Sequence, residues 1–383
     1  MTRLKLIAAT VAVIVVIGAG MFLLRAPQPH IVLAPEAIFE IGGLTVVNTM
    51  ITAWVITIFL VSVSLLATRN MKLVPGGLQN AVEAGVDAFY GLVKGVAGDS
   101  KARLFLPVAG TIFFFIALSN WAGLLPVFGS IGKFEDAEHV LDHQIHNEEE
   151  AGHVNLVKFQ ASGLNLIGIN PDTVEVDYTE TDATFEGSDG EEHVVTFAAD
   201  ADSHDKAVAI EQALEEAGHD PGELGHLLPL FRSANTDLTV PLAMALVSFV
   251  FIEFCAFRAL GFRYLGKFFN FKSPISLLVG LLEFFGEFIR IISLTFRLFG
   301  NTVAGEVLLI MVVFLAPLLV VQIFYGLELM FALIQAFIFS ILTVVFASMA
   351  MESHDAHAAG HGQADGDNAE PGHEAAGAHG GHR

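Results

Sequence analysis

The sequence predicts an all-α polytopic membrane protein with about five transmembrane helices. To these it adds one amphipathic surface helix, a small α/β extracytoplasmic insert and an extra N-terminal hydrophobic segment. Three observations carry that expectation. The chain of 383 residues is 54% hydrophobic and only 16% charged, with a mean hydropathy of +0.61, and soluble domains are rarely so apolar. Its apolar residues gather in blocks of the length a bilayer requires, about 20 residues of helix. The net charge of −22 is concentrated in one segment. Ile131 to Phe231 holds 24 Asp and Glu against three Lys, so the remainder is close to neutral.

Leu6 to Leu24 is the first block, flanked by Arg3, Lys5 and Arg25. Residues 1–27 are thus an anchor or a signal peptide; a length near 19 residues and the lack of a clean A-x-A site favour the anchor. A first membrane part follows over residues 40–128, opening with a span at about Val46 to Ala67. From Leu78 to Val96 the pattern changes. Leu78, Val82, Val86, Phe89, Val93 and Val96 recur every three or four positions, interrupted by Glu83, Asp87 and Lys94. That spacing describes an amphipathic helix on a surface rather than a span. Leu104 to Val127 is the next span, closed by the LLP of Leu124 to Pro126.

Residues 129–231 form the acidic insert. Alternation at Val174 to Tyr178 and at His193 to Phe197 predicts strands, and Lys206 to Ala217 predicts a helix. His139, His143 and His146 lie near helical spacing beside acids; a solvated polar face is the simpler account, a metal site the bolder one. A second membrane part, residues 232–351, holds Val240 to Phe257, a very long apolar region from about Ile275 to Val313, and a last one from Ala316 to Met349. The tail, residues 352–383, has the Gly/Ala/His-rich composition of a disordered segment that could bind metal loosely. Cys255, the single cysteine, sits in an apolar block as a small core residue.

Orientation follows from Lys and Arg. Arg69, Lys72, Lys94, Lys101 and Arg103 cluster in one short loop, and Arg258, Arg263, Lys267 and Lys272 in another. Two crossings separate the clusters, so both fall on the cytoplasmic side of a cell (inner or plasma) membrane. The insert is then extracytoplasmic and the C-terminus cytoplasmic. Nucleic acid is no partner, because no basic face exists to neutralise phosphates.

The long region near the C-terminus interrupts its apolar run with Glu283, Glu287, Arg290, Arg297 and Asn301, at steps of four, three, seven and four. On a helix these form one stripe. Glu306 is nine residues past Arg297, about 900° of rotation, hence roughly opposite it. On the last helix Glu328 and Gln335 are seven apart and share a face. An ionisable group in the bilayer costs several kcal/mol unless paired or hydrated. A buried ion pair would explain one such group; six ionisable residues along two adjacent helices suggest aqueous paths. Arginine suits a divider between two paths, since it stays protonated and attracts a carboxylate without passing a proton on.

These residues fall within motifs that resemble subunit a of F-type ATP synthases. The motifs are VPGGLQN before the amphipathic helix, SNWAGLLP at Ser119 to Pro126, RLFGN with AGE at Arg297 to Glu306, and LIQAFIFSILT at Leu333 to Thr343. They cover the two membrane parts and leave out the N-terminal segment, insert and tail. The resemblance implies a non-catalytic stator of the F0 sector beside a rotating ring of c subunits, each with one membrane carboxylate. Its last two helices would be long and tilted along the ring. Two half-channels would carry protons to the ring and away from it. The implied partners are the c-ring, the b subunits of the peripheral stalk, the F1 ATPase head through the complex, and the lipid bilayer. No cofactor and no resident metal is implied, and ATP chemistry lies in partner subunits.

The family's essential arginine matches Arg297, with Asn301 and Gln335 as polar neighbours facing the ring. Glu306, Glu328 and Asn120 match the extracytoplasmic access path, and Glu283 and Ser293 the exit towards the cytoplasm. One departure stands out. Where familiar members often hold one acid and one histidine, Glu306 and Glu328 are both acids, and if close they should not both ionise easily. A carboxylate pair could also hold a metal cation, but H⁺ is favoured, since ring residues mostly decide selectivity. Two rival functions fit less well. A secondary transporter tends to show internal repeats, and none is found; an adhesion or metal-capture protein leaves the polar stripe unexplained.

Overall fold

The computed structural model describes residues 35–125 (36 and 43 apart), 131–147, 151–158, 173–198, 201–264, 274–315 and 319–351. The N-terminal segment 1–27 and the tail 352–383 lie outside them. A short antiparallel hairpin, β1 (Ala37–Ile41) and β2 (Leu44–Val47), leads into α1 (Asn48–Thr68). The first span therefore starts slightly later than its apolar run suggests. Leu44, Thr45, Val46 and Val47 extend first, as β-branched residues favour.

The amphipathic segment and the second span appear as one helix, α2 (Leu78–Gly123), broken at Gly98, whose φ of 76° and ψ of 164° leave the helical region. Only glycine adopts that conformation readily. The break lets the amphipathic half fold back on the spanning half, so that Phe89 stacks on Phe113 with ring centroids 4.7 Å apart. Of the predicted apolar stripe, Phe89 and Val93 are buried there, while Leu78 and Val96 stay exposed. The surface helix is thus the first arm of a helical hairpin.

The insert is a six-stranded antiparallel sheet covered by two helices. Its elements are β3 (Gly132–Asp136), α3 (Ala137–Asn147), β4 (Ala151–Lys158), β5 (Thr173–Thr179), β6 (Asp182–Glu186), β7 (Glu192–Thr196), α4 (Ser203–Glu216) and β8 (Leu224–Pro229). The strand order is β3-β8-β4-β5-β6-β7. In β5, Val174, Val176 and Tyr178 point inward and Glu175, Asp177 and Thr179 outward, the alternation a one-sided sheet requires. Ile210 and Leu214 of α4 and Val140, Leu141 and Ile145 of α3 pack into the same core. Each such side chain is worth about 1.5–3 kcal/mol of burial. Asp202 caps α4 by accepting the amide hydrogen of Asp205 at 2.8 Å. His139, His143 and His146 are exposed on α3, on the face away from that core. The acidic surface carries its own penalty. Burial, and then the carboxylates of Glu138, Asp136 and Glu215, push the Glu211 carboxyl upward. This group therefore supports the fold at low pH and opposes it once it must ionise.

The remaining spans are α5 (Thr239–Leu260), α6 (Pro274–Leu315) and α7 (Leu319–Ala350). Among the described residues five helices, α1, α2, α5, α6 and α7, are long and apolar enough to cross a membrane. At about 1.5 Å per residue, α6 is roughly twice the ~30 Å hydrocarbon thickness, so it must incline strongly or extend beyond it. Small residues let the helices approach. Ala102, Ala109, Ala245, Ala336 and Ala347 are fully buried between them, as membrane packing favours. Cys255 is buried in the same core.

Candidate functional site

The polar stripe of α6 runs along one edge of that helix's buried face. Ile291, Leu294 and Leu298 face the core, while Phe288, Ile292 and Phe296 are exposed. Arg297 falls on the outer side of the edge and is exposed, Asn301 is half-buried, and Glu287 is only 6% exposed on the inner side. Among the described residues Arg297 makes no hydrogen bond and no ion pair. It is a permanent cation near the middle of α6, exposed on the outside of the helix.

Towards the start of α6 the stripe serves a different purpose. Glu287 accepts from Arg290 one turn on, and the Arg290 guanidinium lies over the Phe346 ring of α7, 4.2 Å from its centroid. This pair with its cation–π contact joins α6 to α7. Nearby, the Tyr264 hydroxyl donates to Glu253 at 3.1 Å. Burial, with the Glu253 and Glu287 carboxylates adding to it, pushes that hydroxyl far upward, so it stays a neutral donor. Glu283 is half-buried and Ser293 exposed on the same helix.

At the opposite end, three elements meet. Asn120 of α2 is buried and its Oδ1 accepts from Asn235 Nδ2 at 2.7 Å and from Thr302 of α6 at 3.5 Å. Glu328 and Gln335 of α7 are both buried, at 8% and 6% exposure, as a shared face requires. The Glu328 carboxyl packs so tightly against Gly305 that a Cβ placed there would overlap it. Beside α2, the Trp121 indole donates to the Leu329 carbonyl at 3.1 Å. Several buried polar atoms here, Ser119 Oγ, Ser233 Oγ, Asn235 Oδ1 and Gln335 Nε2, find no partner among the described residues.

Sequence reasoning missed one residue of this end. Arg232 clamps Glu306: its Nε lies 3.1 Å from Oε1 and its Nη2 3.1 Å from Oε2. The expectation that Glu306 and Glu328 would repel one another thus meets a cation in the structure. Arg232 lies just past the insert, in a linker that composition marks only as polar. Yet Ser233, Ala234, Asn235 and Thr236 are buried. The one available signal was an isolated cation at the start of the second membrane part.

The chain matches the family model for the ATP synthase A chain over residues 49–145 and 206–348. It is also similar to ATP synthase subunit a of Gloeobacter violaceus, 27% identical over 320 residues, which span 83% of this chain and 90% of that one. The stretch between the two matched segments is most of the insert. With matches on both sides of it and five helices able to span a bilayer, the chain belongs to the ATP synthase A chain family, as a multi-pass, non-catalytic membrane subunit of the F0 complex.

Proposed function

We propose that this chain is the stator ion channel of F0, whose two half-channels carry protons to and from the rotating c-ring and so couple the proton gradient to ATP synthesis. The observation that carries this is Arg297. An exposed cation in mid-membrane, without a partner among the described residues, requires its counter-charge from another subunit. A ring of small subunits, each presenting one carboxylate, supplies it. Asn301 and Gln335 flank that contact. Asn120, Glu306 and Glu328 line the access path from the extracytoplasmic side, and Glu283 and Ser293 the exit to the cytoplasm. The b subunits and, through the complex, the F1 head are the further partners. The test is purification of the chain from native membranes through an affinity tag. A ring of small hydrophobic subunits and a soluble ATPase head should accompany it; the correctly inserted chain emerging alone would overturn the reading.

Residues 40–128 and 232–351 are the membrane parts of this machine, and residues 129–231 an extracytoplasmic domain added to it, with the C-terminal tail cytoplasmic. Its hydrophobic core is self-contained and no residue of the two paths lies in its sheet. Replacing Gly132 to Leu228 with a short Gly/Ser loop should therefore leave ATP synthesis in vesicles measurable, at about a third of the normal rate or more. Loss of both assembly and synthesis, with the membrane helices still inserted, would make the insert integral to the motor.

A further inference from the structure

The chain leaving the insert is held unusually firmly. β3 and β8 pair from Gly132–Pro229 to Asp136–Gly225, and the Leu230 amide continues the ladder by donating to the Ile131 carbonyl at 2.9 Å. Asn48 Nδ2 at the start of α1 donates to the Pro229 carbonyl at 3.3 Å. The next residues sink among the helices, with Ala234 and Asn235 fully buried and Ser233 pressed against Gly123 at the end of α2. Arg232 sits between these two anchors, its side chain only 10% exposed, and both oxygens of Glu306 accept from it. Glu328 differs. It is buried against Gly305, one residue before Glu306, and makes no ion pair among the described residues.

We propose that Arg232 is a positioning residue of the access path: it holds Glu306 as a fixed, oriented charge, and leaves Glu328 as the acid that exchanges the proton. The inference rests on the channel function proposed above and sharpens it. A guanidinium that grips a carboxylate with two parallel hydrogen bonds holds it still and in one orientation. Such a carboxylate is a poor relay, because protonating it would break the clamp and strand a partly buried cation. A fixed negative charge beside the path nonetheless helps, since it attracts protons towards Glu328 and Asn120. The charged residues that the packed helices and the linker bring to this end are Arg232, Asp237, Glu306 and Glu328. Asp237 is taken up by Thr49 and Thr239, whose hydroxyls lie 3.3 and 3.0 Å from its two oxygens. Among the described residues only Arg232 therefore balances the two glutamates.

The test uses vesicles carrying the whole ATP synthase, with ATP-driven proton pumping followed against pH and the assembled subunit quantified. Arg232→Gln should slow pumping and displace its pH profile by about one unit, since the charge beside the path is no longer held in one place. Arg232→Lys should retain much of the normal profile. Arg232→Gln combined with Glu306→Gln should pump better than either single variant, because the pair is removed as a neutral unit, whereas Glu328→Gln should lose at least about tenfold in either background. Three outcomes overturn the inference. A double variant no better than Glu306→Gln would make Glu306 itself the exchanging acid. A reduced amount of assembled subunit with an unmoved pH profile would make Arg232 a structural pin. Normal pumping by both Glu306→Gln and Glu328→Gln would remove the access path from these residues altogether, and would thereby refute the channel assignment rather than the clamp alone.

Discussion

Arg297→Ala should abolish ATP synthesis and ATP-driven pumping, yet leave, once the ATPase head is stripped away, passive proton flux down a gradient. The two effects are opposite in kind and share one cause. A guanidinium in a low-dielectric interface attracts a ring carboxylate arriving from either side and repels a proton crossing between the half-channels. Without it the carboxylate no longer has to release its proton at the divide, so rotation decouples from flux. Arg297→Lys should fail as well. The ammonium keeps a charge but lacks the planar, delocalised fork, and it loses its proton more readily when desolvated. Exposure of Arg297 on the outer face of α6 means that neither change opens a cavity within the chain, so assembly should be normal. Synthesis and flux in vesicles from the three strains decide the matter. Coupled synthesis by Arg297→Ala at more than about a tenth of the normal rate would return Arg297 to a helix-pinning or lipid-facing role.

Gly305→Val should cost at least about tenfold in coupled pumping, and Gly305→Ala several-fold, with the subunit still assembled. Gly305 lies inside α6 with ordinary helical geometry, so its backbone does not demand glycine. What demands it is the Glu328 carboxyl, which occupies the volume a side chain would take. The obstruction is the far end of a flexible side chain, so the helices need not separate; the carboxyl must move instead. In the proposed mechanism that displacement pulls the exchanging acid out of line with Asn120 and Glu306, and small misplacements of a reacting group are expensive. The measurement is ATP-driven pumping normalised to assembled complex. Unchanged pumping by Gly305→Val would show that the position of Glu328 does not matter to proton transfer. Loss of assembled complex in proportion to activity would assign Gly305 to helix packing alone.

Much of the membrane architecture was legible in the chain because a bilayer imposes a blunt rule. Outside closed barrels every span must be a helix with few charges, and α1, α5, α6 and α7 each lie close to a long, mostly apolar run. The opposite placement of Arg297 and Glu306 follows from the helical repeat alone, and so does the common face of Glu328 and Gln335. Within the insert, the alternation of Val174 to Tyr178 and the 3–4 spacing of Ala207, Ile210 and Leu214 marked β5 and α4, since each buries one face on the same core. Less periodic segments went unmarked. GKFED and LGHLLP carry too little alternation to announce β3 and β8, whose pairing closes the whole insert.

The sequence by itself thus determined the class, the long apolar helices of the two membrane parts and the polar stripe, all of which depend on the geometry of single helices and on transfer from water to lipid. The tertiary structure decided what those residues meet. It folded the amphipathic arm back at Gly98, set Gly305 against Glu328, and carried Arg232 to a glutamate 74 residues away in the chain. Such contacts arise from how several helices and a buried linker pack at once. A local pattern has no knowledge of them, because the energy that selects them is shared among elements distant in sequence.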